Sequence, residues 1–85
     1  MKLIFCPECA DVVALHREPR TCRCGRSSGH YKQNGWHAVV TGLAVPLGFA
    51  NASFVEAIRT PDRGVSTPFK AFVIEDDCPS IERQP

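Results

Sequence analysis

A small, β-dominated α+β fold is predicted for this chain by three observations. Four of its cysteines form two close pairs, Cys6 with Cys9 and Cys22 with Cys24, with twelve residues between the pairs. Short apolar runs rich in β-branched residues recur between Gly, Pro, Asn and Asp punctuation, the pattern of strands and turns. Only one stretch, about residues 53–60, carries the capping and spacing of a helix. At 85 residues the chain has room for one core, so residues 1–85 are expected to form a single domain. Hydrophobic content of 44% with 22% charged residues excludes a disordered chain. No apolar run approaches the roughly 20 residues that span a bilayer, and the start is too short in apolar residues for a signal peptide. A cytoplasmic location is therefore expected, where thiols stay reduced and paired cysteines favour metal over disulfide. Five cysteines also suit four ligands and one spare thiol better than a disulfide framework.

Taken in order, Lys2-Leu3-Ile4-Phe5 reads as a strand entering a first cysteine turn, Cys6-Pro7-Glu8-Cys9. Pro7 suits that turn because its φ is fixed and it brings no amide proton. Val12-Val13-Ala14-Leu15 is a second strand, a hairpin runs through Glu18-Pro19, and Thr21-Cys22 begins the return towards the second turn, Cys22-Arg23-Cys24-Gly25. Gly25 stands where a tight turn wants positive φ. Two short-spaced cysteine pairs joined by a hairpin-length connection read as one tetrahedral metal site, with one structural zinc ion per chain. The ligands are Cys6, Cys9, Cys22 and Cys24; Cys78 or one of His16, His30 and His37 is the alternative to Cys24.

Residues 3–25 resemble a zinc ribbon, a β-hairpin family in which two cysteine-bearing turns close over one zinc ion. The resemblance rests on the four cysteines and on Gly25, and covers the first third of the chain (1–29 with its flanks). The second turn is CxC where the family has CxxC. The resemblance implies a closed zinc site and, since zinc ribbons also serve in larger machines, a protein-docking role. The runner-up is a rubredoxin-like iron electron carrier, a family that pairs two CxxC turns. The segment Pro46-Leu47-Gly48-Phe49-Ala50-Asn51 resembles one in uncharacterised small bacterial and phage proteins and implies no function.

Residues 30–85 are expected to add a β-hairpin, the short helix and a strand at about 69–74. Arg26-Ser27-Ser28-Gly29 reads as a flexible connector. Asn34-Gly35 is the strongest two-residue hairpin signal, with Trp36–Thr41 as the return strand, Trp36, Ala38 and Val40 on one face and His37, Val39 and Thr41 on the other. Gly42 breaks the run. Pro46 marks 43–47 as an edge strand or a turn. Ser53 and Glu56 match a capping box, so the helix should stop before Pro61 and dock through Phe54, Ala57 and Ile58. Residues 62–68 read as a surface loop. Phe69–Ile74 is apolar on both faces, which predicts an inner strand. The acidic tail from Glu75 reads as a short strand or loose coil.

The function classes follow from charge and chemistry. Net charge is +1, yet residues 16–37 hold a balance of +4 and residues 75–85 one of −3. Arg17, Arg20, Arg23, Arg26 and Lys32 flank the second cysteine turn, with Tyr31 and Trp36 close by, and these seven are the candidate partner-binding residues. Cations tracking phosphates while rings stack bases is one role for them. The competing role is a solvated face for the cations and core membership for the rings. No nucleophile–base pair and no phosphate loop is present, so an enzyme is not expected. Cys78 sits among carboxylates, which raise a thiol pKa and argue against a reactive nucleophile. The function predicted is a non-catalytic binding module for a protein or a nucleic acid, with protein favoured because +1 is weak for an autonomous nucleic-acid binder.

Overall fold

The computed structural model describes residues 1–61, 64 and 66–84. It is a small α+β fold of two four-stranded sheets and one helix: β1 Lys2–Phe5, β2 Val12–Ala14, β3 Arg20–Thr21, β4 Ser27–Tyr31, β5 Ala38–Gly42, β6 Val45–Phe49, α1 Asn51–Arg59, β7 Ala71–Val73 and β8 Ile81–Gln84. The first sheet is antiparallel in the order β2-β1-β6-β7; the second runs β3-β4-β5-β8, with β8 parallel to β5 and the rest antiparallel. The chain passes between the sheets three times, after β2, after β5 and after β7. The two sheets share one core, where Ile4 from the first meets Ala38, Val40 and Ile81 from the second, with Leu15, Ala44 and Ile74 from the crossing segments. A hydrogen bond also joins them: the Lys2 amide donates to the Tyr31 hydroxyl at 2.7 Å.

The expected hairpin from residues 12–15 through Glu18-Pro19 to Thr21 does not form. Instead β2 returns along β1, so the first cysteine turn is itself a hairpin turn, and β3 pairs with β4 around the second. Arg26–Gly29 is not a flexible connector, since Ser27 begins β4 and both Ser27 and Gly29 are buried. A Cβ on Gly29 would stand 2.9 Å from the Val39 carbonyl oxygen, so only glycine lets the two strands approach. The Asn34-Gly35 turn is longer than two residues, because the Asn34 side chain accepts the amides of Trp36 and His37, each at 2.9 Å. Trp36 consequently precedes β5, while Ala38 and Val40 fill the core as expected.

Pro46 lies in an inner strand, contrary to the edge expectation. Its nitrogen and carbonyl point to the same side, towards the chain leaving β7, where the carbonyl accepts the Ile74 amide at 2.9 Å. The β6–β7 ladder ends at Leu47↔Val73, because the proline has no proton with which to return the Ile74 bond and regular pairing stops one residue short of it. β7, expected inside, is the edge strand, and Phe72 and Val73 are exposed. The helix begins earlier than its capping-box pattern indicates. Ala50 is its N-cap without a side-chain bond, and Ser53 lies inside, where its hydroxyl donates to the Ala50 carbonyl and accepts the Lys70 amide, both at 2.9 Å. Phe54 anchors the helix in a triad with Phe49 and Phe69, ring centroids 4.7–5.3 Å apart. Ile58, one turn further on, is exposed rather than docked. The helix ends at Arg59, with Thr60 as its cap before Pro61. The expected loop at 62–68 falls in part on residues 62, 63 and 65, which lie outside the described residues. The tail forms β8, fixed by Arg83, whose guanidinium donates to the Gly42 and Ala44 carbonyls and pairs with Asp76 at 3.0 Å. No helix among the described residues is long and apolar enough to cross a membrane.

The crossing after β5 sets a sharp test. Gly42 has φ +67°, and a Cβ there would stand 2.0 Å from the Arg26 carbonyl oxygen, a backbone atom held by its own bond to the Leu43 amide. Gly42→Ala is expected to lower stability by more than about 2 kcal/mol in chemical denaturation. The exposed neighbour Leu43→Ala should cost less than about 1 kcal/mol.

Candidate metal centre

The two hairpin turns bring the four predicted ligands together. In the first, the Cys6 amide donates to the Asp11 carbonyl at 2.9 Å and the Ala10 amide to the Cys6 carbonyl at 2.7 Å. Ala10 takes φ 58°, a left-handed conformation unusual for a residue with a Cβ. In the second, Gly25 at φ 83° donates its amide to the Cys22 carbonyl at 3.1 Å. That bend folds the one-residue gap of Cys22-Arg23-Cys24 back on itself, so both sulfurs face the same point. The sulfurs of Cys6, Cys9, Cys22 and Cys24 all lie within 4.8 Å of one another. Cys6 and Cys24 are 3.7 Å apart and Cys22 and Cys24 3.5 Å. Four sulfurs at about 2.3 Å from a tetrahedral metal would be about 3.8 Å apart, so the set fits a metal ion. Cys24 completes the set; Cys78, His16, His30 and His37 are not part of it.

The surroundings favour thiolates. The Ser27 amide donates to the Cys22 sulfur at 3.3 Å, and the amides of Glu8 and Cys9 serve Cys6. Ser27 is 1% exposed and its hydroxyl has no hydrogen-bond partner among the described residues. The Ser27 side chain is the chief influence holding the Cys6 thiol below its ordinary pKa, with burial opposing. An orphaned buried hydroxyl beside a sulfur fits an outer-shell donor to a metal-bound thiolate. Burial, the largest influence on Cys22, raises its pKa, yet the Ser27 amide and the neighbouring sulfurs bring it to about 6. For Cys24 the Arg26 amide is the largest influence and lowers it, but burial and the other three sulfurs push it up to about 12. Four thiols this close cannot all ionise alone, and a dication removes that conflict. Ser27 was not legible as a site residue; its only sequence signal is its place two residues after the CxC-Gly turn.

Two of the five predicted partner-binding cations are engaged at the site itself. The Arg23 amide donates to Asp11 Oδ2 and its guanidinium to the Cys9 carbonyl, both at 2.8 Å, binding one turn to the other. Arg26 pairs with Glu8 across the turns at 3.5 Å. Lys32 pairs with Glu82 at 3.3 Å. Arg17 and Arg20 are exposed and make no ion pair among the described residues. Tyr31 is half-buried against the core, and Trp36 is 64% exposed with its ring 4.1 Å from the Lys2 ammonium. The Cys78 pKa is lowered rather than raised as its acidic sequence neighbours suggest: Ser80, at 3.3 Å, is the chief cause, with Lys2 aiding and burial and Asp77 opposing.

Metal titration of the purified chain is expected to give one site. Cys24→Ser should weaken binding severely and expose the chain to unfolding by chelator, while Cys78→Ser should bind as the wild type does. Ser27→Ala should retain the fold when loaded but lose about 10–100-fold in metal affinity, read by competition with a chromophoric chelator.

No family model, no curated protein and no solved structure matches this chain.

Proposed function

We propose that this chain is a zinc-stabilised docking module of zinc-ribbon type, without a catalytic centre, whose partner is a protein. The four-sulfur cluster supports the metal reading. The CxC turn departs from zinc ribbons and rubredoxin-like carriers alike, and zinc is the reading taken because it is the usual ion of closed four-cysteine structural sites. A metal held by four thiolates keeps no open position to activate water, which supports a structural role.

The choice of a protein partner rests on one observation. Three of the five basic residues around the metal turns are tied to neighbours, while large apolar side chains stand exposed on the helix and edge strand: Val55, Ile58, Phe72 and Val73. Arg23 and Arg26 hold the turns together and are poorly placed to neutralise phosphates as well. Exposed apolar surface of this kind marks protein contacts more readily than nucleic-acid contacts.

Native mass spectrometry should show one zinc per chain in a colourless protein, whereas a red, iron-loaded protein would favour electron transfer. Crosslinking capture should recover a partner with the wild-type chain and lose it with Ile58→Asp plus Val73→Asp at unchanged fold. Fluorescence anisotropy with a single-stranded oligonucleotide should show only weak binding. Tight, steeply salt-dependent binding abolished by Arg17→Ala plus Arg20→Ala would overturn the protein reading.

A further inference from the structure

Lys2, Gly48 and Phe72 stand side by side in register across β1, β6 and β7, on one face of the first sheet. A cavity of about 390 Å³ adjoins this row, bounded also by Trp36 from the β4–β5 turn and by Cys78 and Ser80 from the β7–β8 connection. Its size lies in the range of small-molecule pockets, and its walls are mainly apolar. Gly48 makes it possible: a Cβ there would stand 2.6 Å from the Phe72 ring, so glycine lets that ring lie across β6.

One group in the cavity lacks its usual partner. Lys2 is 8% exposed, and a buried ammonium is normally paired with a carboxylate. Its Nζ has three protons to give. One goes to the Trp36 carbonyl at 2.7 Å, and the rings of Trp36 and Tyr31 lie 4.1 and 5.8 Å away. No carboxylate lies within ion-pair distance among the described residues. Stacking on rings recovers only part of an ammonium's lost hydration. Burial accordingly lowers the Lys2 pKa, opposed by the Cys78 sulfur. The cavity thus offers one buried positive charge, a few neutral polar groups and aromatic walls.

We propose that this cavity binds a small apolar molecule bearing a single carboxylate, which pairs with Lys2 Nζ while its apolar body lies against Phe72, Phe49 and Trp36. A buried lysine ammonium, without an arginine fork, matches one carboxylate, while the Met1 α-ammonium at the same lining is held by Asn51 Oδ1 at 3.1 Å. Cys78 is the rival anion, since Ser80 and Lys2 both favour its thiolate, and the Cys78→Ser variant separates the two. The site shares Phe72 with the proposed docking face, but its test uses the chain alone and does not need the partner or the docking role.

Isothermal titration of the metal-loaded chain with 1-naphthoate and with the neutral, nearly isosteric 1-naphthamide tests this. The acid is expected to bind one per chain and at least about tenfold more tightly than the amide. Lys2→Met should abolish that preference with the circular dichroism unchanged, and Cys78→Ser should retain it. Equal binding of acid and amide to the wild-type chain would overturn the proposal, as would no binding of the acid below about 1 mM. Loss of the preference in Cys78→Ser would also overturn it, by making the thiol proton rather than the Lys2 ammonium the carboxylate's donor. Should Lys2→Met fail to fold, the acid–amide comparison on the wild-type chain decides alone.

Discussion

The convergence of two hairpin turns on one point is the constraint on which this fold depends. Each cysteine turn closes a hairpin in a different sheet, β1–β2 in the first and β3–β4 in the second. A metal held by all four sulfurs therefore joins sheet to sheet rather than merely closing a loop. The bonds from Arg23 to Asp11 and Cys9, and the pair between Arg26 and Glu8, repeat the same junction without metal. These polar bonds are exposed and individually weak, so they orient the turns more than they hold them. The core between the sheets is also thin, consisting mainly of Ile4, Val40, Ile74 and Ile81 with small alanines. For a chain this size, such a core benefits from a staple.

Local chemistry was legible in the sequence; allocation of strands to sheets was not. The cysteine spacing identified the four sulfurs that cluster, Lys2–Phe5 proved to be a strand, and Pro61 marked the helix end. Each of these depends on residues within a few positions of one another. The errors share a different cause. Val12–Ala14 has the same apolar character whether it pairs backwards with β1 or forwards with Thr21, and only the tertiary arrangement decides. Phe69–Ile74 looks like an inner strand because it is apolar throughout, yet that character serves three purposes: Phe69 joins the aromatic triad, Phe72 covers Gly48 and Ile74 enters the core. Ser53 satisfied a capping pattern while its hydroxyl was committed to Lys70, seventeen residues away. The parallel pairing of β8 with β5 left no local trace at all.

Charge shows the same division. The sequence places five cations around the second cysteine turn, a pattern shared by a phosphate-binding face and by a turn held with ion pairs. Distances separate the two cases, since Arg23 reaches a carbonyl and Arg26 a carboxylate on the opposite turn. Cys78 reverses in the same way. Its sequence neighbours are acidic, but its nearest groups in space are Ser80 and Lys2, which stabilise a thiolate instead.

Pro46 has a consequence for motion. By ending the β6–β7 ladder at Val73, it leaves β7 attached through only three paired residues at the rim of its sheet. Short, exposed edge segments open at a lower free energy than the body of a fold, so amide protons in β7 should exchange with solvent before those of β1 or β5. Phe72, carried on that strand, would swing outwards with each such opening while the cysteine turns at the other end of β1 stayed closed. The fold thus separates a margin expected to open readily from an end where two hairpin turns and their four sulfurs bring the sheets together.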